Sequence, residues 1–244
     1  MFRFGGNFER NEINPAMWSS EDEYNRALSS CMARVFMRMF LALMVSAIAA
    51  FVVAVNEDLL YFMFATNFFW VVMIVPFALV MVISAGINRM KASTATMLFF
   101  VYAAVNGMSL AFIMIIYEPL IIAQAFVLTA LMFGGMAVFG YVTKKDLSRI
   151  GSMLIMALWG LLIASLINAI IPTFRSEPMS WLISYAMILV FVGLTAWDTQ
   201  RIKHQLAGAT SDEQVAKIST LGALRLYLNF LNIFLRVLKI LSRR

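Results

Sequence analysis

Residues 193–203 read G-L-T-A-W-D-T-Q-R-I-K, and here a long uncharged run that begins near Met179 ends on a carboxylate, Asp198, followed at once by polar and basic residues. A carboxylate at such a boundary has two readings. It is the first interfacial residue of a polar loop, or it faces inward and meets a partner, because ionisable groups at membrane depth are rare and usually paired. Its chemistry would then be the handling of protons and cations. Arg89, at the end of an earlier apolar run and on the same side of the membrane, is the candidate counter-ion. In a partly dry site a guanidinium favours the charged carboxylate while desolvation opposes it, so the sign of the balance stays open at this level.

A second constellation lies near the C-terminus. Arg225, Asn229, Asn232, Arg236, Lys239 and Arg243 are spaced so that, at 100° per residue, all six fall within about 80° of one another on a helix. Arg225 and Asn232, with Asn106 from an earlier apolar run, are candidates to line an aqueous path. For Asn106, as for Gln124 and Asn168, a hydrogen bond between helices is the simpler role. Gly134, Gly135 and Gly140 read as close-packing positions, and Asp146 and Ser148 as helix N-cap chemistry. Hydrolytic sites are missing: there is no H-E-x-x-H, no G-x-S-x-G and no pair of aspartates within two spans, so the chain does not read as an enzyme. One cysteine, Cys31, and one histidine, His204, leave no basis for a zinc site or a disulfide framework. No cofactor is expected.

The elements that must position these residues are transmembrane helices. The chain is 62% hydrophobic and only 13% charged, against about one quarter charged in soluble domains. Six stretches, about 33–55, 67–87, 95–117, 120–142, 150–172 and 179–198, approach the roughly 20 apolar residues that a bilayer requires. Short polar breaks separate them, which makes one compact domain over 31–244 behind a polar arm, residues 1–30. The net charge of +6 would suggest nucleic acid in a soluble protein. Here the cations sit between apolar runs, so they read as topology determinants and no nucleic-acid partner is expected. Arg3, Arg10, Arg26, Arg34, Arg38, Arg89, Lys91, Lys144, Lys145, Arg149, Arg201, Lys203 and Lys217 fall on one side and only Arg175 in the opposite loops, which predicts a cytoplasmic N-terminus. Arg34 and Arg38 are expected to snorkel out of the first span.

The seventh segment, Thr220 to Leu241, carries the polar stripe. An arginine facing lipid at mid-bilayer costs at least about 2.5–3.5 kcal/mol, so this helix does not span comfortably alone. Either the other helices surround it and the stripe lines a hydrated interior, or it lies in the headgroup plane with its cations in water.

Several phrases occur in order along the chain: N-R-M-K-A-S-T (88–94), G-M-S-L (107–110), F-G-Y-V-T-K-K-D-L-S (139–148), A-W-D-T-Q-R-I-K (196–203) and G-A-L-R-L-Y-L-N-F-L-N-I-F-L (222–235). Together they resemble the transmembrane Bax inhibitor motif family, in particular its bacterial members. The resemblance implies an all-α integral membrane protein, a seven-helix bundle whose last helix is central and wrapped by the other six. It implies a calcium leak that responds to pH, in a bacterial plasma membrane. In that family two aspartates share a proton and close the cytoplasmic mouth, with an arginine as partner. By motif the first aspartate falls on Asp198 and the arginine on Arg89. The second falls on Asn229, where L-Y-L-N-F replaces the usual L-Y-L-D-F.

That replacement removes the like-charge repulsion of a carboxylate dyad. Asn229 can still donate a hydrogen bond to Asp198, as a protonated aspartate would. The expectation is a pH dependence that is weakened or displaced to acid. Calcium needs several oxygen ligands and Asp198 is the single interior carboxylate, so calcium binding there is expected to be weak and transient. A different class of function, also assigned to family members, is a regulator that acts by contact on a membrane protease or stress pathway.

Overall fold

The computed structural model describes residues 21–66, 68–171 and 176–242, excepting the side chains of 63, 64 and 69. The N-terminal twenty residues of the expected arm, together with Arg175, Arg243 and Arg244, lie outside the described residues. Every described element is helical: α1 (Glu21–Val55), α2 (Glu57–Ala65), α3 (Phe68–Gly86), α4 (Ala92–Ile116), α5 (Pro119–Val142), α6 (Ser148–Ile170), α7 (Glu177–Ala207) and α8 (Asp212–Leu241).

Six of these, α1 and α4 to α8, are long and apolar enough to cross a membrane. The expected span at 67–87 appears as α3, a shorter apolar helix. Ahead of it the N-E-D-L-L break is itself helical, because Asn56 caps α2 by accepting the Leu59 amide at 3.1 Å. The first helix already includes residues 21–30 of the expected arm. The polar stretch after Asp198 is not a loop. α7 continues to Ala207, because Ile202 and Leu206 stay fully buried and extend its apolar face.

α8 is a core helix. In its most apolar stretch 67% of residues are buried, against 6% for α6, which excludes an interfacial placement. It packs against α1, α4, α5 and α7. This corrects the expected wrapping by six helices: α3 rests on α4 and α6 on α7, so both are peripheral to it. Arg34 is exposed, whereas Arg38 turns inward instead of snorkelling, its Nη1 donating to Ala216 O and Thr220 Oγ1, each at 2.9 Å.

Two glycines set how closely the helices approach. A Cβ at Gly107 of α4 would strike the backbone of Ser46 in α1, and one at Gly140 of α5 would strike the Ala196 carbonyl in α7. Gly134 and Gly135 correct the sequence reading, since a Cβ at either meets nothing within 4 Å. They point away from the helices that α5 packs against.

The close approach of α1 to α4 brings polar groups together at the buried centre. Tyr227 of α8 is fully buried, edge-on to Phe99 and Tyr102. Its hydroxyl lies 2.7 Å from Ser46 Oγ and accepts from Asn106 Nδ2 at 2.9 Å. Ser46 Oγ also lies 2.7 Å from Ala103 O, which can only accept. The full satisfaction required in a low-dielectric core therefore orders the chain as Asn106 to Tyr227 to Ser46 to Ala103.

Tyr227→Phe leaves Asn106 and Ser46 each short of a partner and is expected to lower stability by about 1–3 kcal/mol. Gly107→Ala forces α1 and α4 apart and is expected to cost a similar or larger amount. Thermal unfolding in detergent, read by loss of helical circular dichroism, measures both.

Candidate functional site

One end of the bundle gathers the start of α1, the α3–α4 turn, the start of α4, the α5–α6 loop, the end of α7 and the start of α8. Arg34, Arg38, Arg89, Lys91, Lys144, Lys145, Arg149, Arg201, Lys203 and Lys217 all belong to it, and it is called the basic end below.

Asp198 lies near this end on α7 and is 7% exposed, while Asn229, one helix away on α8, is 5% exposed. Asn229 Nδ2 donates to Asp198 Oδ2 at 2.8 Å. The carboxylate is therefore inside the protein, and its direct partner is a neutral amide. The cations whose charge reaches it are Arg225, one turn before Asn229 on α8, and Arg201, one turn beyond Asp198 on α7. Neither closes an ion pair. Among the described residues the single salt bridge is Lys217 to Glu213, at 3.5 Å. Arg201 instead stacks over the Trp197 ring, 5.1 Å from its centroid.

Arg89, the expected counter-ion, forms no ion pair with Asp198 in this structure. Its side chain is exposed in the turn that follows α3. α3 packs on α4 and α2, not on α7, so an arginine just past its end sits at the periphery of the bundle.

Two hydrogen-bonded blocks meet at the Asp198–Asn229 contact. On the α8 side, Glu213 Oε1 accepts the Ala92 amide at 2.9 Å and so caps α4 from another helix, doing what Lys91 at the cap position cannot. Thr220 Oγ1 lies 2.9 Å from Thr96 Oγ1 and takes the Arg38 bond. These contacts tie α8 to α1 and α4.

On the α7 side, buried Gln200 accepts the Leu147 amide at 2.9 Å and donates to Lys145 O at 2.8 Å. Lys203 Nζ donates to Tyr141 O at 2.9 Å and sits 4.7 Å from that ring's centroid, closing the C-terminus of α5. Within the loop, Asp146 accepts the Ser148 amide at 2.9 Å from a position just before the cap residue, Leu147. The hydrogen bonds from Ser148 hold this exposed carboxyl below the usual carboxylate range. Sequence reading passed over Gln200 and Lys203. Their signal was the T-K-K-D-L-S loop, whose backbone donors and acceptors need partners.

The stripe on α8 is divided rather than continuous. Arg225 is half-buried near Asp198, and Asn229 is committed to that carboxylate. Asn232 bonds back to Leu228 O at 2.8 Å. Arg236 and Lys239 line a cavity of about 380 Å³ at the opposite end, together with Tyr117, Asn232 and Ser242. Lys239 also reaches Ser180 Oγ on α7 at 3.3 Å. Asn106 joins the Tyr227 chain rather than a cavity wall, Gln124 is exposed, and Asn168 Oδ1 is buried without a hydrogen bond. Cys31 is buried and His204 exposed. No group of three His, Cys, Asp or Glu side chains lies together among the described residues.

Gln200→Leu removes the acceptor of the Leu147 amide and the donor to Lys145 O. It is expected to cost about 1–3 kcal/mol and to loosen the loop locally. Limited trypsin digestion in detergent then cuts faster after Lys144 and Lys145, while cleavage elsewhere keeps its wild-type rate.

The model of the family described as "Inhibitor of apoptosis-promoting Bax1" matches residues 28–244. The inner membrane protein YbhL of Escherichia coli K12 is 41% identical over 220 residues, covering 89% of this chain and 93% of its own length. A protein of Rickettsia prowazekii, RP147, is 38% identical over 93% of this chain and 94% of its own. A membrane protein of Streptococcus pyogenes serotype M3 is 36% identical over 78% of each. With a match across nearly all of its helical bundle and relatives at this level of identity, the chain belongs to the Bax inhibitor family of membrane proteins.

Proposed function

We propose that this protein is a cation leak, passing calcium down its gradient, and that the hydrogen bond between Asp198 and Asn229 latches its basic end. The observation that carries this reading is a buried carboxylate bonded to a neutral amide across the seam between two separately clamped blocks. The Asp198–Asn229 bond is the one side-chain hydrogen bond at this level of a closely packed α7–α8 interface, in which Gly222 lies directly against Ile202. Arg225 and Arg201 supply positive charge beside the latch, the role that sequence alone had given to Arg89. A leak of this kind sits in the bacterial inner membrane, as the name of the Escherichia coli relative suggests, with the basic end in the cytoplasm.

An amide cannot be titrated, so Asn229 acts as a permanently protonated aspartate and the latch holds across neutral pH. In Asn229→Asp the two carboxylates share a proton when closed. Raising the pH removes it, the two charges repel and the latch opens. Calcium flux into proteoliposomes is expected to vary little with pH near neutrality in wild type and to rise with pH in Asn229→Asp. Identical profiles would overturn the latch. Asp198→Ala removes the acceptor and is expected to raise flux in wild-type buffer.

A second reading follows from the charges on the same helix. Arg225, Arg236 and Lys239 oppose cation passage along α8, which favours a regulator that acts by contact on another membrane protein. Flux at the level of empty liposomes in both wild type and Asp198→Ala, with a stress phenotype that survives in cells, selects it.

A further inference from the structure

α1 and α5 both pack on α8 but share no close-packed interface with each other. The seam between them opens near the basic end into an apolar trench of about 450 Å³, within the range of about 300–1,000 Å³ usual for ligand pockets. Ser29, Ala33 and Phe36 of α1 form one wall, and Phe133, Gly134 and Tyr141 of α5 the other.

Gly134 helps to keep the trench open. A helical glycine costs backbone entropy, and at Gly107 and Gly140 a neighbouring helix explains that cost. At Gly134 no protein atom lies where its Cβ would be. What the missing side chain leaves open is the trench itself.

The mouth carries two cations, Lys203 and Arg26, with the carboxylates of Glu21, Asp22 and Glu23 about a turn further out on α1. Lys203 sits against Tyr141, the trench residue nearest the end of α5, and one of its three N–H groups goes to the Tyr141 carbonyl, leaving two to donate. Arg26 lies one turn before Ser29 on α1 and is exposed. Below the mouth the lining is hydrocarbon. A basic rim over an apolar groove between membrane helices has the chemistry of an acidic-lipid site. The groove alone selects nothing, because an acyl chain gains no hydrophobic free energy by leaving other acyl chains. Selection comes from the phosphate.

We propose that the α1–α5 seam at the basic end binds one anionic phospholipid, an acyl chain lying along Gly134 and its phosphate held by Lys203 and Arg26. The site is independent of whether the protein conducts ions.

The test uses the full-length protein in nanodiscs of phosphatidylcholine with an equal share of phosphatidylglycerol, the retained lipid being counted by native mass spectrometry. Wild type is expected to keep one phosphatidylglycerol in preference to phosphatidylcholine. Gly134→Leu fills the trench and is expected to lose it. Ala33→Leu fills the trench from the opposite wall, so the test survives if either variant fails to fold. Arg26→Gln and Lys203→Gln are each expected to lower the preference for the anionic lipid about fivefold. Equal retention of the two lipids by wild type, unchanged retention in the folded trench variants, or an unchanged preference in both charge variants overturns the proposal.

Discussion

A polar group at membrane depth has no water to turn to, so its partner must come from within the protein. α8 concentrates this constraint. It carries Arg225, Asn229, Asn232, Arg236 and Lys239 among otherwise apolar residues and could not face lipid along its length. The structure meets the constraint by burying α8 among α1, α4, α5 and α7 and giving its polar groups partners there or cavities to face. The other helices are disposed around that need. Those that touch α8 carry the bundle's buried polar contacts, and α3 and α6, which are peripheral to it, are its outer helices.

Along α8 the polar contacts fall into three tiers with different consequences. At the basic end Glu213 and Thr220 connect it to α1 and α4 through charged or hydroxyl groups that keep some access to water. At the centre Tyr227 joins Asn106 and Ser46 in a buried chain of hydrogen bonds, where α1 and α4 approach closely. Two residues past Tyr227 along α8, Asn229 meets Asp198 through one side-chain hydrogen bond.

The replacement of a carboxylate by Asn229 keeps the shape of that contact and changes its electrostatics. A carboxylate pair stores repulsion that a proton relieves, whereas an amide and a carboxylate store none. The positive charges around this contact, Arg201 and Arg225, are held off by a tryptophan face and by partial burial rather than by direct pairing.

Hydropathy and charge spacing are local properties, so the chain alone determined that it is a helical membrane protein, that its cations cluster at one end, and that its last helix has a polar stripe needing shelter. The resemblance of its motif phrases to a known family also implied the pairing of Asp198 with Asn229. Which helices touch was a tertiary decision. Arg89 had the right charge and the right end of the membrane, but α3 packs against α4, away from α7. Gln200 and Lys203 looked like ordinary loop residues until α7 proved to run on past Asp198 and lay them against the α5–α6 connection. Partner choice depends on distances across helix interfaces, and these are set by small contacts such as Gly107 on Ser46 and Gly140 on Ala196, whose meaning appears only once the helices are packed.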